Sequence, residues 1–594
     1  MLELRYWRVS ANFSMEYECS ESLSLAYELS EEPNCLARQI GPSYNTVSFS
    51  IFNRSASHWA IICRSMTETY DVIIAGGGPV GAALAVNLGL RGITCALIER
   101  HEEPQRIPKG QNLLQRSVEH FWFWGLESEL RDARVMPRDF PMNGVVAYGS
   151  FETDWWYAPP LRELLNKYFL LENERLPQYQ LENVLRRKLL KLETVETLFG
   201  WTVDDVSQDA SGAQFQVSDV KSNSQRTVQG RFAVGCDGSH SLVREKIGIT
   251  RGGDDFDQPM VLAVFRSAEL SRKLAERYPK RSTYRLMDPD LKGYWKFFGR
   301  VDEDESWFFH SPVPVGTTRK SFDFAKLLHD AAGFEFGVEF EHVGFWDLRI
   351  SVAERYRVER VFIAGDAAHS HPPYGGYGLN NGLEDAVNLG WKLEARLKGW
   401  GSDNLLDSYT AERQPVFVET GRDFIAGLIE SDRKFFDNYD PKRDRAAFEK
   451  AWKEEHAGAV AHRVLGYEPN YEGSPVVAGP PSGVCSAHGS YSFEARTGHH
   501  LPPQPLSGGR NVYEELGQGF TLLAFDTSDA EVSKIETAAK VAGMPMKTVL
   551  DSYADGRTEY GRKMILVRPD QYVAWCADSA PEDPAALIRK ITGN

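Results

Sequence analysis

Three glycines in six residues, Gly76, Gly78 and Gly81 of Gly76-Gly77-Gly78-Pro79-Val80-Gly81, fill the pattern G-x-G-x-x-G. This spacing suits phosphate chemistry. Gly76 permits a tight turn, Gly78 removes the side chain where backbone must approach a pyrophosphate, and Gly81 lets a following helix lie close to a strand. That helix, Ala82 to about Leu90, turns its N–H groups and positive dipole end toward the phosphates. Glu99, further on, is placed to accept hydrogen bonds from a ribose diol, and its charge argues against a 2′-phosphate at that point. The unit predicts a bound dinucleotide and leaves NAD and FAD both open.

Two later groups carry related chemistry. Gly235-Cys236-Asp237-Gly238-Ser239 is followed by Ser241, Val243 and Arg244. Gly365-Asp366-Ala367-Ala368-His369 leads into Pro372-Pro373, Gly375-Gly376, Gly378-Leu379-Asn380 and Gly382. Here a carboxylate suited to the hydroxyls of a sugar alcohol chain precedes a loop of bare backbone, with a helix N-terminus behind it. Such an N-terminus stabilises negative charge developing on a flat, electron-accepting ring. His369-Ser370-His371 is half of a metal site at most. No acidic or histidine partners stand at helical spacing nearby, and no metal is expected.

The elements that must position these residues are legible around them. Tyr70–Ala75 is a short apolar run rich in β-branched residues, suited to a buried strand. Thr94–Ile98, Phe232–Cys236 and Val361–Ala364 read the same way. From Gly382 to Leu397 the apolar residues Leu383, Ala386, Val387, Leu393 and Leu397 fall at a helical period. Each strand therefore ends where chemistry begins.

In their order, GGGPVG, GCDGSHSLVR and GDAAHSHPPYGGYGLNNGLEDAVNLGWKL resemble the group A flavoprotein monooxygenases, and more closely the FAD-dependent phenol and aromatic hydroxylases. The likeness spans Thr69 to the C-terminus. It implies an α/β fold: a GR2-type, Rossmann-like FAD-binding domain, an antiparallel-sheet substrate domain and a thioredoxin-like C-terminal domain. It also implies FAD as cofactor, NADH or NADPH as co-substrate, and hydroxylation of an aromatic ring by O2 through a C4a-hydroperoxyflavin. Carried over residue by residue, Gly76, Gly78 and Gly81 would hold the pyrophosphate and Glu99 the adenosine ribose. Arg116 and Gln178 would contact the cofactor, with Gln180 as a second register for the latter. Asp237 would serve both FAD and NAD(P)H, and Asp366 the ribityl chain. Gly376, Gly378, Leu379 and Asn380 would line the pyrimidine edge. Pro373, beside the flavin loop, and Tyr374 are candidate substrate contacts, and His371 a candidate for proton handling. The phenol hydroxylases carry an Asp five residues before the arginine matched by Arg116; this chain has Gln111. A carboxamide cannot act as a base at neutral pH, so the group that helps deprotonate a substrate must lie elsewhere, or the substrate is acidic already.

Around these motifs the chain divides into an atypical extension (1–65), two parts of the FAD-binding domain (66–250 and 356–465, the second with added helices), a substrate sheet (251–355), a Pro/Gly-rich linker (466–485) and the C-terminal domain (486–594). The extension lacks a signal-peptide layout. It reads as an upstream start to a protein that begins near Met66, with a targeting or regulatory arm as the alternative. In the middle, Val261–Phe265, Tyr294–Gly299 and Trp307–His310 suggest an antiparallel sheet. Its Trp295, Phe297 and Phe308 are read first as core and second as cavity lining, as are Trp155-Trp156-Tyr157 and Tyr168. His456, His462 and His499-His500 read as surface or structural residues.

Composition narrows the classes further. Over 594 residues the formal charge is −16, with 25% charged and 42% hydrophobic residues, an ordinary globular balance that disfavours a nucleic-acid partner. No apolar run is long enough to span a membrane. Seven cysteines without a CxxC pair point to reduced thiols and a cytoplasmic protein. Cys576 therefore has no redox role in the C-terminal domain, where packing or a homodimer contact is expected. The alternatives are a polyketide-type or other large-ring hydroxylase of the same fold, and a catalytically silent flavin-binding protein.

Overall fold

The computed structural model describes residues 69–140, 144–158, 163–554 and 559–594. The expected N-terminal extension, with Cys19, Cys35 and Cys63, lies outside them. The strand Thr69–Ala75 is central to the first sheet because Val72, Ile73, Ile74 and Ala75 are fully buried between two layers. The sheet runs in the order Arg357–Val358, Val361–Ile363, Gln225–Gly235, Thr69–Ala75, Cys95–Glu99, Val195–Phe199, and an antiparallel extension built from 201–219 brings it to eight strands. The last five strands of that order are parallel, with Ala75 opposite both Gly235 and Ile98, and Gly235 opposite Ile363. Their carboxyl ends therefore finish at one edge.

Helix α1, Pro79–Leu90, begins at Gly78 with proline in its first turn, where the missing N–H costs nothing. It is apolar on every side, and Gly81–Gly89 are buried, because the sheet covers one face and another helix the other. Helices α2 (Gln115–Phe123) and α3 (Gln178–Leu189) follow. Helix α4, Tyr377–Leu397, packs along α1. Side chains added at Gly382 and Gly390 would meet Val80 Cγ2 at 2.6 Å and Asn87 Nδ2 at 2.6 Å, so both positions owe their glycine to this close crossing. Helix α5, Asp403–Glu419, lies beside α4.

The second sheet also has eight strands, in the order His369–Ser370, Glu339–Ala353, Arg251–Arg266, Ser306–Pro312, Lys296–Arg300, Thr283–Met287, Val145–Tyr148, Trp156–Tyr157. All its pairs are antiparallel except Thr283–Met287 with Val145–Tyr148. His369–Ser370 pairs with Ser351–Val352, so the chain leaving the first sheet touches the second before entering α4. Trp307, Phe309 and Phe298 are core. Trp295 is buried against Tyr374, with ring centroids 4.2 Å apart.

The stretch read as a linker, 466–485, is built differently from an open connection. Tyr467–Tyr471 pairs with Cys485–His488, and Tyr471, Val476 and Val477 are buried. Proline and glycine mark its turns without loosening it. Beyond it, a four-stranded sheet in the order Met546–Asp551, Phe520–Phe525, Met564–Val567, Val573–Ala577 carries the helices Asp529–Val541 and Pro584–Thr592. The first two strands are parallel and the others antiparallel. The four described cysteines are free. No helix among the described residues is long and apolar enough to cross a membrane.

Candidate active site

Because the parallel strands end together, the three motifs converge. Gly76 adopts φ +96°, and a Cβ there would stand 2.3 Å from the Cys236 carbonyl oxygen. A Cβ on Gly81 would stand 1.9 Å from the Gly76 carbonyl oxygen. Gly365, at φ +60°, packs on Val80 of α1. Arg244 donates to the Ser239 and Ala367 carbonyls (3.2 and 3.0 Å), and Arg251 to those of Ser239 and Asp366 (2.7 and 3.3 Å). The second and third motifs are thus stitched together at the edge that carries the first, the crevice where open parallel sheets bind ligands.

The carboxylates at this edge divide the work. Both oxygens of Glu99 accept backbone N–H groups, from Gly77 at 2.7 Å and His101 at 2.8 Å, which fixes the glycine turn. Asp237 accepts from the Ser241 hydroxyl at 2.5 Å and the Val243 N–H at 3.1 Å; burial nonetheless lifts its carboxyl above the usual range. Asp366 differs. Its side chain is accessible, takes no hydrogen bond from a described residue, and opens into a cleft whose enclosure raises its pKa. Asp385 is a residue to which the sequence assigned no role. It accepts from Gly365 N (3.0 Å), His369 Nε2 (2.6 Å) and Arg413 Nε (2.7 Å), and so holds the turn that presents Asp366. Burial alone would raise the Asp385 pKa; His369 and Arg413 outweigh it and lower it.

At the start of α4, Gly375 and Gly376 both take left-handed backbone, with φ +70° and +72°. Asn380 spends its whole side chain inside the protein. Its oxygen accepts from Leu114 N and the Ser117 hydroxyl, and its nitrogen donates to the Asn112 and Gly376 carbonyls. No part of that side chain is left for a ligand. Gln178 donates to Glu182 at 2.9 Å, and its Oε1 stands with Leu379 against Gly110, so the starts of α3 and α4 meet there. Pro373 is exposed on the loop before α4.

FAD fits these residues. A Cβ on Gly78 would meet nothing within 4 Å, so the open face of the turn can receive a pyrophosphate. The uncommitted Asp366 carboxylate can accept from ribityl hydroxyls, and the first N–H groups of α4 lack intrahelical acceptors, as at any helix start. Replacing Asp366 with alanine is expected to raise the FAD Kd roughly ten- to hundredfold, the worth of hydrogen bonds to a charged group. Titration of the apoprotein by flavin fluorescence quenching measures it.

Beside the α4 N-terminus lies a cavity of about 310 Å³. Arg116 of α2, Phe297 of the second sheet, Tyr377 of α4, Phe424, and His500 and Tyr572 of the C-terminal domain contribute to its wall. Arg116 is a cavity residue here. Its guanidinium donates to the Asp570 carbonyl (2.6 Å) and Gln571 Oε1 (3.0 Å), and its Nε lies 3.3 Å from Glu384. Burial would weaken this cation, but Glu384 and Glu119 hold it firmly charged. His500, read in the sequence as a surface or structural residue, faces the cavity instead. The two expected catalytic residues do not line it. Tyr374 is buried on Trp295. His371 stacks on Phe417 (centroids 5.3 Å apart), with its Nδ1 on the Pro372 carbonyl. Gln111 faces Arg175 Nη2 at 2.5 Å and also stands outside the cavity lining. No cluster suited to a metal occurs among the described residues.

Burial pushes His371 down to about 4, and His310 likewise. Both imidazoles are therefore neutral near pH 7. His371→Gln is expected to leave the pH–rate profile unshifted between about pH 5 and 8. In the unfolded chain these groups titrate near 6.5. The unfolded state thus binds more protons between that value and about 4, and the two histidines make the fold lose stability as the pH falls through this window. Denaturation midpoints across it, with His371→Gln flattening the slope, provide the check.

A glycine turn suited to a dinucleotide, with an aromatic-walled cavity elsewhere at the α4 N-terminus, is the arrangement of a cofactor-dependent oxidoreductase, and comparison with known proteins identifies the cofactor. Residues 69–421 match the family model for the FAD binding domain, and residues 494–594 match that for the aromatic-ring hydroxylase C-terminal domain. The chain belongs to this family of FAD-dependent aromatic-ring monooxygenases. It is 31% identical over 536 residues to 12-dehydrotetracycline 5-monooxygenase/anhydrotetracycline 6-monooxygenase of Streptomyces rimosus subsp. rimosus, covering 86% of this chain and 96% of that one. It is 28% identical over 545 residues to 4-methyl-5-nitrocatechol 5-monooxygenase of a Burkholderia species, covering 87% and 96%. The crystal structure of the flavin-dependent monooxygenase PieE in complex with FAD and substrate superposes with a TM-score of 0.76 at 25% identity, covering 89% of this chain and all of that one.

Proposed function

We propose that the protein hydroxylates a compact phenol-type aromatic, with NAD(P)H as reductant and O2 as the oxygen source. The observation that supports this substrate class is the cavity. At about 310 Å³ it stands at the small end of the roughly 300–1,000 Å³ typical of small-molecule sites. Aromatic walls from Phe297, Phe424 and Tyr572 suit the faces of one or two fused rings. Bound FAD supplies the reduction and oxygen-activating chemistry. The chain would bind it along Gly76–Gly81, aim the positive end of α4 at one side, and line the cavity with aromatic side chains that disfavour water. Dryness matters because admitted water diverts reactive oxygen species from the ring.

The test is NADH and NADPH oxidation by the FAD-reconstituted protein across a panel of phenols, with product mass as the readout. A gain of one oxygen atom without free peroxide is the expected result. Bound FAD with no oxidation of either nucleotide on any phenol would overturn it in favour of a silent flavoprotein. Turnover confined to multi-ring substrates would favour the large-ring reading, for which the likeness to the S. rimosus enzyme is the supporting observation.

A further inference from the structure

Gln111 cannot act as a base, and it faces Arg175 rather than the cavity, so the proton of a bound phenol needs another acceptor. We propose that His500, delivered by the C-terminal domain, is the base that takes this proton. The assignment rests on the reading above that the substrate is phenolic.

The geometry fixes the tautomer. His500 Nε2 lies 3.0 Å from Glu119 Oε2 and 2.6 Å from the Tyr513 hydroxyl oxygen. Tyr513 gives its single hydrogen to the Leu501 carbonyl at 2.7 Å, so its oxygen can only accept from the imidazole. Glu119 is fully buried and also accepts. Two acceptors on Nε2 require that Nε2 carry a proton, so in the neutral imidazole it is Nδ1 that holds the lone pair. Nδ1 has no partner among the described residues, and the ring forms part of the cavity wall. This is the arrangement of a base: one nitrogen anchored by a carboxylate, the other free of a protein partner on a ring in the cavity wall.

Charged and polar groups surround the ring. When the phenol O–H bond breaks and the Nδ1–H bond forms, the charges are a phenolate in the cavity and an imidazolium on Glu119. From α2, Glu119 and Arg116 face the ring; from the C-terminal domain, Tyr513 and Tyr572; and from α4, Glu384 reaches it through Arg116 at 3.3 Å. Glu119 has its other oxygen on Leu170 N at 2.8 Å and cannot turn away. Burial alone would raise the Glu119 pKa, but charge on His500 and Arg116 and the hydrogen bonds from His500 and Leu170 hold it low. Arg116, on the same cavity wall, supplies a cation for the phenolate.

The experiment compares wild type and His500→Gln, both loaded with FAD, on a series of para-substituted phenols of graded acidity. The variant is expected to bind FAD normally and to lose roughly 100- to 10,000-fold in kcat on unsubstituted phenol. The loss should shrink on 4-cyanophenol, whose greater acidity makes the transfer to a base less demanding, and at raised pH. An equal loss on every phenol with an unchanged pH profile would mark His500 as merely structural and overturn the assignment, as would full activity. If wild type turns over no phenol at all, the functional reading falls first; if wild type is active and the variant matches it, only His500 falls. Should the variant not fold, wild type labelled with 15N-histidine decides. Addition of 4-cyanophenol should protonate one imidazole Nδ1, and an unchanged spectrum would refute the proposal.

Discussion

Gly81→Ala is expected to wreck the FAD-binding turn, while Gly78→Ala, three residues earlier, leaves the fold intact and removes the ligand. An added methyl at Gly81 stands 1.9 Å from the Gly76 carbonyl oxygen and 3.1 Å from Cys236 Cβ. Neither neighbour can yield. Gly76 is pinned by its φ of +96° and by its own close approach to the Cys236 carbonyl, and Cys236 sits at the end of a central parallel strand. Overpacking of a core costs about 1–3 kcal/mol, and a clash this close against a backbone carbonyl belongs at or above the top of that range. At Gly78 the same methyl meets no protein atom within 4 Å. The cost to the fold is then that of a poorer helix cap, about 1 kcal/mol or less. The methyl instead occupies the face meant for pyrophosphate, and FAD affinity should fall at least tenfold. Thermal midpoints of the apoproteins and FAD titrations separate the two outcomes. Equal stability losses in both variants would contradict this account of the turn.

The second large effect is expected at Arg568. Its guanidinium lies 2.6 and 2.9 Å from the two oxygens of Glu412 on α5, and 2.9 and 2.6 Å from those of Asp570. Lys392 of α4 reaches Glu412 at 2.7 Å, and the Trp391 indole donates to Asp570 at 3.0 Å. The side chains of Arg568, Glu412 and Lys392 are fully buried, so two cations balance two carboxylates away from water. Arg568→Met leaves one negative charge unpaired in that interior, a change that costs about 3–5 kcal/mol. Because the cluster joins α4 and α5 to the C-terminal domain, the variant should expose the 494–594 region to limited proteolysis. It should also lose turnover as His500 and Tyr572 lose their places. Burial works to raise the Glu412 pKa, but Arg568 and Lys392 hold it well below the carboxylate range. Its contribution is complete above the unfolded carboxylate pKa and fades as the pH falls below about 4. A flatter acid limb for Arg568→Met in denaturant unfolding is the accompanying observation.

The division between what the chain spells out and what only folding reveals follows from distance along it. The FAD cleft is legible because each piece is local: a β-branched strand, a glycine or aspartate turn, a helix. The parallel register then aligns pieces that were read separately. The cavity offers no such signal. His500 stands beside His499 in a polar stretch without periodicity, and only tertiary contact brings it to Glu119, 381 residues earlier in the chain. Asp385 lies within a quoted motif, yet its task depends on Arg413 of another helix. Tyr374 and His371 sit close in sequence to the bare loop, but their side chains turn into packing because the strand His369–Ser370 is tied to the second sheet. The 466–485 stretch has the composition of a loose connection, and its order comes from pairing with residues just beyond it.

The Arg568 bolt also bears on how the enzyme is born. Everything that shapes the cofactor cleft is translated before residue 421, whereas the bolt and His500 emerge later. A nascent chain folding from its earlier segments forward presents the glycine turn and α4 before one wall of the reaction chamber has been made. The later domain supplies the missing wall through His500 and Tyr572, so a chain released before Arg568 would lack both the bolt and the completed chamber.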